Sequence, residues 1–220
     1  MYNTHCCFCL YLTGEPWDVT NLNTDNVVVT LLGSRCIQYV KLSNNKMAAG
    51  RTVDLGRVCQ GIESSDTQMF VAVRGGDGGK CEVIILGHDA TQIRRLPINV
   101  SVPLYLAVDT LTSRLYISDW VNEQVVCMDM AGTPIYTYRP GKHGGGFRGL
   151  LVTTGGHLLV CDSTSHKLHL VDTDGKFLQY VLTKTDGLKS PLTVSYRHDG
   201  VLFVGMGNTP SCRVFDLKQK

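Results

Sequence analysis

An internal repeat of roughly 44 residues runs along the whole chain and constrains the fold more than any other feature of the sequence. Each copy has a short apolar run, a polar turn, a second apolar run such as RLYISDW from Arg114, and a third such as KLHLVDT from Lys167. Five copies are visible, and they begin near Pro16, Val58, Pro103, Phe147 and Pro191. Because one such unit cannot bury both of its faces, the copies must stack on one another.

Strands rather than helices fill these copies. No long stretch has the periodicity of an amphipathic helix. Asp-Gly pairs such as Asp174 and Gly175 stand between apolar runs, which is a strong signal for a tight hairpin. Four-stranded units of this period, arranged radially around a channel, form a β-propeller. The sequence therefore predicts an all-β fold, a β-propeller of about five four-stranded blades.

The two ends of the chain complement each other in this scheme. The fifth copy stops after its third strand, SCRVFDL from Ser211, so its blade lacks a fourth strand. An apolar run from Cys6 to Leu12 precedes the first copy, and we expect it to pair beside the last strand, since a closed ring leaves no exposed edge. The predicted organisation is a closing strand within residues 1–15, followed by blades near residues 16–57, 58–102, 103–146, 147–190 and 191–220.

The later copies resemble NHL repeats. The fourth copy reads CDSTSHKLHLVDTDGKFLQYV and has Ser165 where the family usually has Asn. The third copy keeps the pattern in SDWVNEQVVCMDM. In the fourth copy the signature positions are filled by Ser165, His166, Lys167 and Leu168. Degenerate, cysteine-rich blades that begin with PWDVT make the chain similar to the C-terminal region of tripartite-motif (TRIM-NHL) proteins.

This resemblance implies a six-bladed, TolB-like parent propeller, so the five copies would form either a complete five-bladed ring or a truncated six-bladed one. In the tripartite-motif family the propeller binds substrate protein or RNA. The ubiquitin ligase activity resides in an upstream RING finger, and this chain has no such module. The resemblance thus implies a recognition role in ubiquitination.

Composition and charge limit which partners and which cellular compartment the sequence favours. The formal net charge is +2 and the pI is near 8.1, values too mild to indicate nucleic acid from the total alone, and DNA is not expected. No apolar run reaches the length of a spanning helix. The N-terminus has no basic region before its short apolar stretch, which argues against a signal peptide. The nine cysteines are an odd number, typical of free thiols. We expect a cytoplasmic protein without membrane association.

The sequence contains fragments of catalytic and metal-binding motifs, but none of them is complete. THCCFC contains His5, Cys6, Cys7 and Cys9, but along a strand Cys7 and Cys9 point to one side and Cys6 to the other, which suits tetrahedral zinc poorly. The loop YRPGKHGGGFRGL does not complete a phosphate loop, and no G-x-S-x-G occurs. We expect no catalytic residue, metal or cofactor. A propeller lyase or hydrolase with a channel metal remains an alternative, which would need convergent His or acidic residues on several first strands.

One face of the propeller is predicted to be basic. The loops that join strand four to the next strand one share a face with the loops that join strands two and three. Bases concentrate on that face and acids on the other. Trp120, Phe147 and Tyr138 add aromatic rings that could anchor a partner or stack on bases. The predicted partner-binding residues are Arg94, Arg95, Trp120, Arg139, Lys142, His143, Phe147, Arg148, His166 and Lys167. We predict a non-catalytic scaffold that recognises a protein partner, with RNA binding through the same face as the alternative.

Overall fold

The computed structural model describes residues 10–44, 46–75, 79–140, 146–197, 200–207 and 211–216. It divides into two compact units, residues 1–97 and residues 98–220. Each unit is built from antiparallel meanders in which strands that follow one another in sequence pair with one another. Each such sheet is one blade.

The first unit contains two blades of four strands. Blade 1 consists of β1 (Pro16–Asn23), β2 (Asn26–Leu31), β3 (Cys36–Ser43) and β4 (Lys46–Asp54). Blade 2 consists of β5 (Val58–Ser64), β6 (Gln68–Arg74), β7 (Glu82–Gly87) and β8 (Gln92–Pro97).

The second unit contains three blades. Blade 3 consists of β9 (Pro103–Asp109), β10 (Arg114–Asp119), β11 (Gln124–Asp129) and β12 (Pro134–Tyr138). Blade 4 consists of β13 (Phe147–Val152), β14 (Leu158–Asp162), β15 (Lys167–Val171) and β16 (Phe177–Leu182), and a short 3-10 helix (Lys184–Asp186) follows it. Blade 5 consists of β17 (Pro191–Arg197), β18 (Val201–Met206) and β19 (Ser211–Asp216).

The fold is a five-bladed β-propeller, and the all-β prediction is confirmed. The described residues form five blades and not the six of the parent propeller that the resemblance implies, and the choice between a complete five-bladed ring and a truncated six-bladed one stays a prediction. Blade 5 has three strands among the described residues, as the repeat pattern predicts. Most of the predicted closing strand, residues 1–9, lies outside the described residues, and ring closure by that strand stays a prediction. Within the described ranges no helix is long and apolar enough to cross a membrane.

Apolar cores fill the space between neighbouring blades of the same unit. The alternation of strand side chains supplies one apolar row to each side of a blade. Between blades 1 and 2 the core includes Val28, Ile37, Cys59, Met69 and Ile84. Between blades 3 and 4 it includes Ala107, Tyr116, Val125, Phe147 and Val160. Between blades 4 and 5 it includes Leu159, Cys161, Leu168, Val194 and Leu202.

A β-bulge interrupts every first strand near its beginning. In β13, for example, Arg148 and Gly149 lie between two register pairs that are only two residues apart on β14. A bulge re-aims the side chains of the bulged strand relative to the regular alternation. The residues at this position are Trp17, Gln60, Leu104, Arg148 and Leu192.

The turns that join second and third strands share a left-handed residue. Glu123 in blade 3 has φ 48° and His166 in blade 4 has φ 60°. Each of these turns begins with a buried aspartate whose carboxylate accepts a hydrogen bond from the side chain three residues later, Asn122 to Asp119 at 2.7 Å and Ser165 to Asp162 at 2.6 Å. The polar residues of the NHL-like pattern are thus the donors that hold this turn.

Candidate partner-binding site

An exposed tryptophan carries a stacked guanidinium at the junction of blades 3 and 4. Trp120 lies in the β10–β11 turn and is 40% exposed. The Cζ atom of Arg148, from the bulge of β13, lies 3.8 Å from the centroid of the Trp120 ring. Burial of the Arg148 side chain lowers the pKa of its guanidinium. Beside this pair, Val121 is 59% exposed. Trp and Arg are the side chains most enriched at binding hot spots.

The Asp119 carboxylate holds this turn in place. It is fully buried and accepts hydrogen bonds from the backbone N–H groups of Ser101 (3.0 Å) and Val102 (3.1 Å). Side-chain amides of Asn122 and Gln124 donate to the same carboxylate at 2.7 and 3.2 Å. Burial alone would raise the pKa of Asp119, but these hydrogen bonds outweigh it and lower the pKa. The carboxylate therefore stays ionised and fixes the backbone on which Trp120 stands.

A second cation is attached to the same turn. The Nε atom of Arg139, directly after β12, donates to Oε1 of Gln124 at 3.0 Å. Gln124 is buried, and its amide group donates to Asp119, so one side chain connects the guanidinium with the buried carboxylate. Arg139 is consequently held beside the turn that carries Trp120, although its own partner is a neutral amide oxygen.

A third cation lies on the outer part of the same junction. Nζ of Lys167, at the start of β15, lies 4.1 Å from the centroid of the Tyr180 ring on β16. The Tyr180 ring in turn lies edge-on to His169, 5.0 Å between centroids. Nδ1 of His169 is 2.8 Å from the hydroxyl of Tyr138, which directly precedes Arg139. These contacts connect the Lys167 and Arg139 positions through the exposed Tyr180 ring and the buried His169 and Tyr138 rings.

Strand pairing and the Trp120–Arg148 contact place five residues at the same end of blades 3 and 4, and we call this set the seam surface: Trp120, Val121, Arg139, Arg148 and Lys167. Its cations rest on neutral partners, namely two aromatic rings and one amide. Asp162, the acid behind Lys167, is buried and accepts hydrogen bonds from Thr164 and Ser165, and its Oδ2 lies 3.5 Å from Nε2 of His169. Burial raises the pKa of Asp162, but the contacts with His169 and Ser165 dominate and bring it to about 2.

Only some of the predicted site residues belong to this surface. The structure places Trp120, Arg139, Arg148 and Lys167 there, and their role in partner binding stays a prediction. His166 lies next to it, where its Nδ1 accepts a hydrogen bond from the Ser190 N–H at 2.9 Å. Lys142 and His143 lie outside the described residues.

Four of the residues assigned to the basic face lie elsewhere. Phe147 is completely buried in the core between blades 3 and 4, because it is the first residue of β13 and its side chain points inward. Tyr138 is likewise buried, with 4% of its surface exposed. Arg94 and Arg95 lie within β8 of the other unit and not in a loop, and Arg95 pairs with Glu82 at 3.1 Å. The predicted basic face therefore included residues that lie in the core or within a strand of the other unit.

Sequence reasoning also missed residues that build the seam surface. Val121 follows Trp120 directly, and this pair of adjacent apolar residues in a polar turn was a usable signal for exposure. Tyr180 lies in FLQYVL, whose apolar composition reads as core, yet it is 44% exposed because β16 is the outermost strand of its blade. No sequence pattern indicates the role of Gln124, because that role depends on its hydrogen bonds to both Arg139 and Asp119 in the folded protein.

A polar pair of carboxyl groups lies in the first unit, between β1 and β5. Oδ2 of Asp18 accepts a hydrogen bond from the Ile62 N–H at 2.9 Å, and Oε1 of Glu63 accepts one from the Thr20 hydroxyl at 3.2 Å. Burial raises the pKa of Asp18 to about 7, and the nearby Glu63 adds to the rise. Among the described residues no three His, Cys, Asp or Glu side chains are placed to hold a metal ion.

Replacement of Asp119 by alanine should loosen the turn that carries Trp120. We expect Asp119→Ala to lower the free energy of unfolding by about 2 kcal/mol, because two backbone N–H groups and the buried Gln124 amide lose their acceptor. Asp129→Ala is a matched control, since Asp129 also accepts turn N–H groups but lies at an exposed hairpin. Urea denaturation followed by tryptophan fluorescence measures both. Equal losses for the two variants would contradict the role given to Asp119.

Several solved structures align with nearly the whole chain. A protein of unknown function from Bacteroides caccae aligns with a TM-score of 0.77 at 10% identity, over 96% of this chain and 81% of that one. The nidogen/laminin complex aligns at 0.71 with 19% identity, over 96% and 79%. Virginiamycin B lyase from Staphylococcus aureus aligns at 0.65 with 12% identity, over 96% and 73%.

No protein-family model and no curated protein matches the sequence. The resemblance to NHL repeats and to tripartite-motif proteins therefore stays a prediction. Identities this low show the fold alone, and a propeller fold serves binding proteins and enzymes alike. The chain is thus similar to β-propellers in architecture.

Proposed function

We propose that this propeller is a non-catalytic module that binds a protein partner through the seam surface. The observation that carries the proposal is the exposed Trp120 ring with the Arg148 guanidinium stacked on it. A large ring that is held in place by a saturated turn loses little freedom on binding, so its apolar area contributes efficiently to affinity. Adjacent Val121 extends the apolar contact, and Arg139 and Lys167 border it with charge.

The resemblance to tripartite-motif proteins supplies a finer form of this proposal. In that form the propeller selects a substrate for ubiquitination in the cytoplasm, and a RING module on another polypeptide segment supplies the ligase chemistry. The six described cysteines are free thiols, and four of them are buried, which fits a reducing compartment. The module itself has no catalytic role in this proposal.

Observations on the aromatic rings favour protein over RNA as the partner. Stacking on a base requires an open ring face. Arg148 covers one face of Trp120, and Phe147 and Tyr138 are buried, so the three rings leave at most one face of one ring for a base. The mixture of exposed apolar and cationic groups matches the composition of protein interfaces.

The proposal is tested by removing the ring. Trp120→Ala should weaken partner binding at least about tenfold, the loss typical of a central hot-spot residue. Leu111→Ala is the control, since Leu111 is 86% exposed in the β9–β10 turn, at the other end of β10. The three proteins serve as baits for affinity capture with quantitative mass spectrometry, and the Kd of each purified partner is then measured by calorimetry.

A partner lost with Trp120→Ala and kept with Leu111→Ala would support the seam surface as the binding site. Partners that Trp120→Ala binds as tightly as the wild type does would overturn the assignment. Circular dichroism melting of each variant separates a loss of contact from a loss of fold.

A further inference from the structure

We propose that the seam surface recognises an acidic segment of its partner, in which carboxylates flank an apolar side chain. This inference rests on the proposed function and names the chemistry of the partner at the same site. The occupant follows from charge complementarity: the acids of the seam are already engaged inside the protein, whereas its cations have no acidic counterpart among the described residues.

The two acids nearest the seam surface are saturated. Asp119 accepts four hydrogen bonds from Ser101, Val102, Asn122 and Gln124. Asp162 accepts bonds from the backbone of Thr164 and Ser165 and from the Ser165 hydroxyl, and its Oδ2 lies 3.5 Å from Nε2 of His169. Both carboxylates are almost completely buried. Neither is therefore available to pair with a surface cation.

Among the described residues, the cations of the seam surface, by contrast, rest on uncharged partners. Arg148 rests on the Trp120 ring, Arg139 bonds to an amide oxygen, and Lys167 rests on the Tyr180 ring. The salt bridge between Arg95 and Glu82 includes none of these three cations. The exposed acid of the β10–β11 turn is Glu123, so positive charge remains in excess.

Arg148 is the sharpest of the three observations. Its Nε atom is buried and has no hydrogen-bond partner among the described residues. A cation that is partly removed from water without a counter-charge costs free energy, and an incoming carboxylate would offset that cost. Guanidinium groups bind carboxylates through two parallel hydrogen bonds, so Arg148 can hold a carboxylate while it remains stacked on Trp120.

The apolar part of the surface sets the second requirement. Trp120 and Val121 are 40% and 59% exposed, so a large part of their apolar surface faces solvent. A segment that carries only acids would leave this apolar area in water. A segment with an aromatic or aliphatic side chain between acidic residues covers both kinds of surface at once.

Selection from a phage-displayed random-peptide library, with the full chain as bait, tests the inference. We expect the enriched peptides to contain Asp or Glu on either side of an aromatic or aliphatic residue. A fluorescein-labelled synthetic copy of the most enriched peptide then gives Kd values by polarisation. Arg148→Gln, Arg139→Glu and Lys167→Gln should each weaken its binding, by about tenfold for Arg148→Gln. Raising the salt concentration should weaken it further.

Arg197→Gln is the matched control, because the Arg197 guanidinium also lies over an aromatic ring, that of Phe203, but in blade 5. Its Kd should equal the wild-type value. Arg139 is exposed, so Arg139→Glu remains informative even if Arg148→Gln destabilises the fold.

Three outcomes would overturn the inference. Enriched peptides could be neutral or basic, peptide binding could be insensitive to all three seam variants, or a single-stranded RNA oligonucleotide could displace the peptide at lower concentration than free peptide does. If Trp120→Ala still abolishes partner capture in the first of these cases, the seam surface keeps its binding role and only the acidic chemistry is lost. If Trp120→Ala has no effect, the proposed function itself fails.

Discussion

Substitution of Gly149 by alanine should destabilise the second unit by about 3 kcal/mol. Gly149 lies in the bulge of β13, where a Cβ atom would be 2.7 Å from Cα of Thr193 and 2.8 Å from the carbonyl oxygen of Leu192. Both contacts are with the backbone of β17, so no side-chain rotation can relieve them. The first strands of blades 4 and 5 would have to move apart, and the core between these blades would lose contacts.

Urea denaturation of Gly149→Ala and of Gly155→Ala measures this effect. Gly155 lies in the β13–β14 turn of the same blade, and a Cβ atom there would meet its nearest neighbour, Nδ1 of His157, at an ordinary 3.4 Å. Gly155→Ala should therefore change the free energy of unfolding little. A Gly149→Ala protein as stable as the control would show that the two strands are not held as close as the structure has them.

The stability of the first unit should fall as the pH rises from about 4 to about 7, because of Asp18. Burial, with a contribution from Glu63, raises the pKa of Asp18 from its ordinary 3.8 to about 7. The folded state thus retains a proton that the unfolded chain releases over this range, and the stabilisation present below pH 4 is lost progressively up to pH 7. At about 1.4 kcal/mol per pKa unit, the full loss is about 4 kcal/mol.

Unfolding free energies of wild type and Asp18→Asn, measured in urea between pH 4 and pH 8, check this expectation. Asp18→Asn has no titrating group at this position, so its stability should depend less on pH, whatever its absolute value. Asp25→Asn, in the exposed β1–β2 turn of the same blade, should keep the wild-type slope. Identical slopes for Asp18→Asn and wild type would exclude Asp18 as the source. Carbon-13 NMR of the Asp18 carboxyl gives its pKa directly.

The architecture could be predicted because it depends on short-range patterns that repeat. The offset between copies, the apolar runs and the Asp-Gly hairpins each recur, so an error in one copy is corrected by the others. The bulges could not be predicted from the same patterns, since a residue such as Arg148 reads as an ordinary member of FRGLLV. What makes it special is the register of β13 against β14, which a single sequence does not reveal.

Part of the seam surface could be predicted, because the order of the strands decides on which face of the propeller each loop lies. Trp120 and Arg139 directly follow the ends of strands, so their face could be assigned from the sequence. Phe147 stands at the boundary between a predicted loop and a predicted strand. It is the first residue of β13 and its side chain packs into the core. A shift of one position along a strand turns a side chain to the other face, so the side it takes could not be read from the sequence. The saturation of Asp119 by residues from two different loops is a tertiary property, and no local pattern signals it.

The bulge at the beginning of each first strand has a consequence for how such a chain can diversify. Ordinary strand residues face the core on one side of a blade or solvent on the other, so a change of polarity among them costs stability. The bulged residue departs from this alternation: Gln60 and Leu104 are buried there, whereas Trp17, Arg148 and Leu192 are only partly buried. At a partly buried bulge, a blade can therefore carry a different side-chain chemistry on the same scaffold.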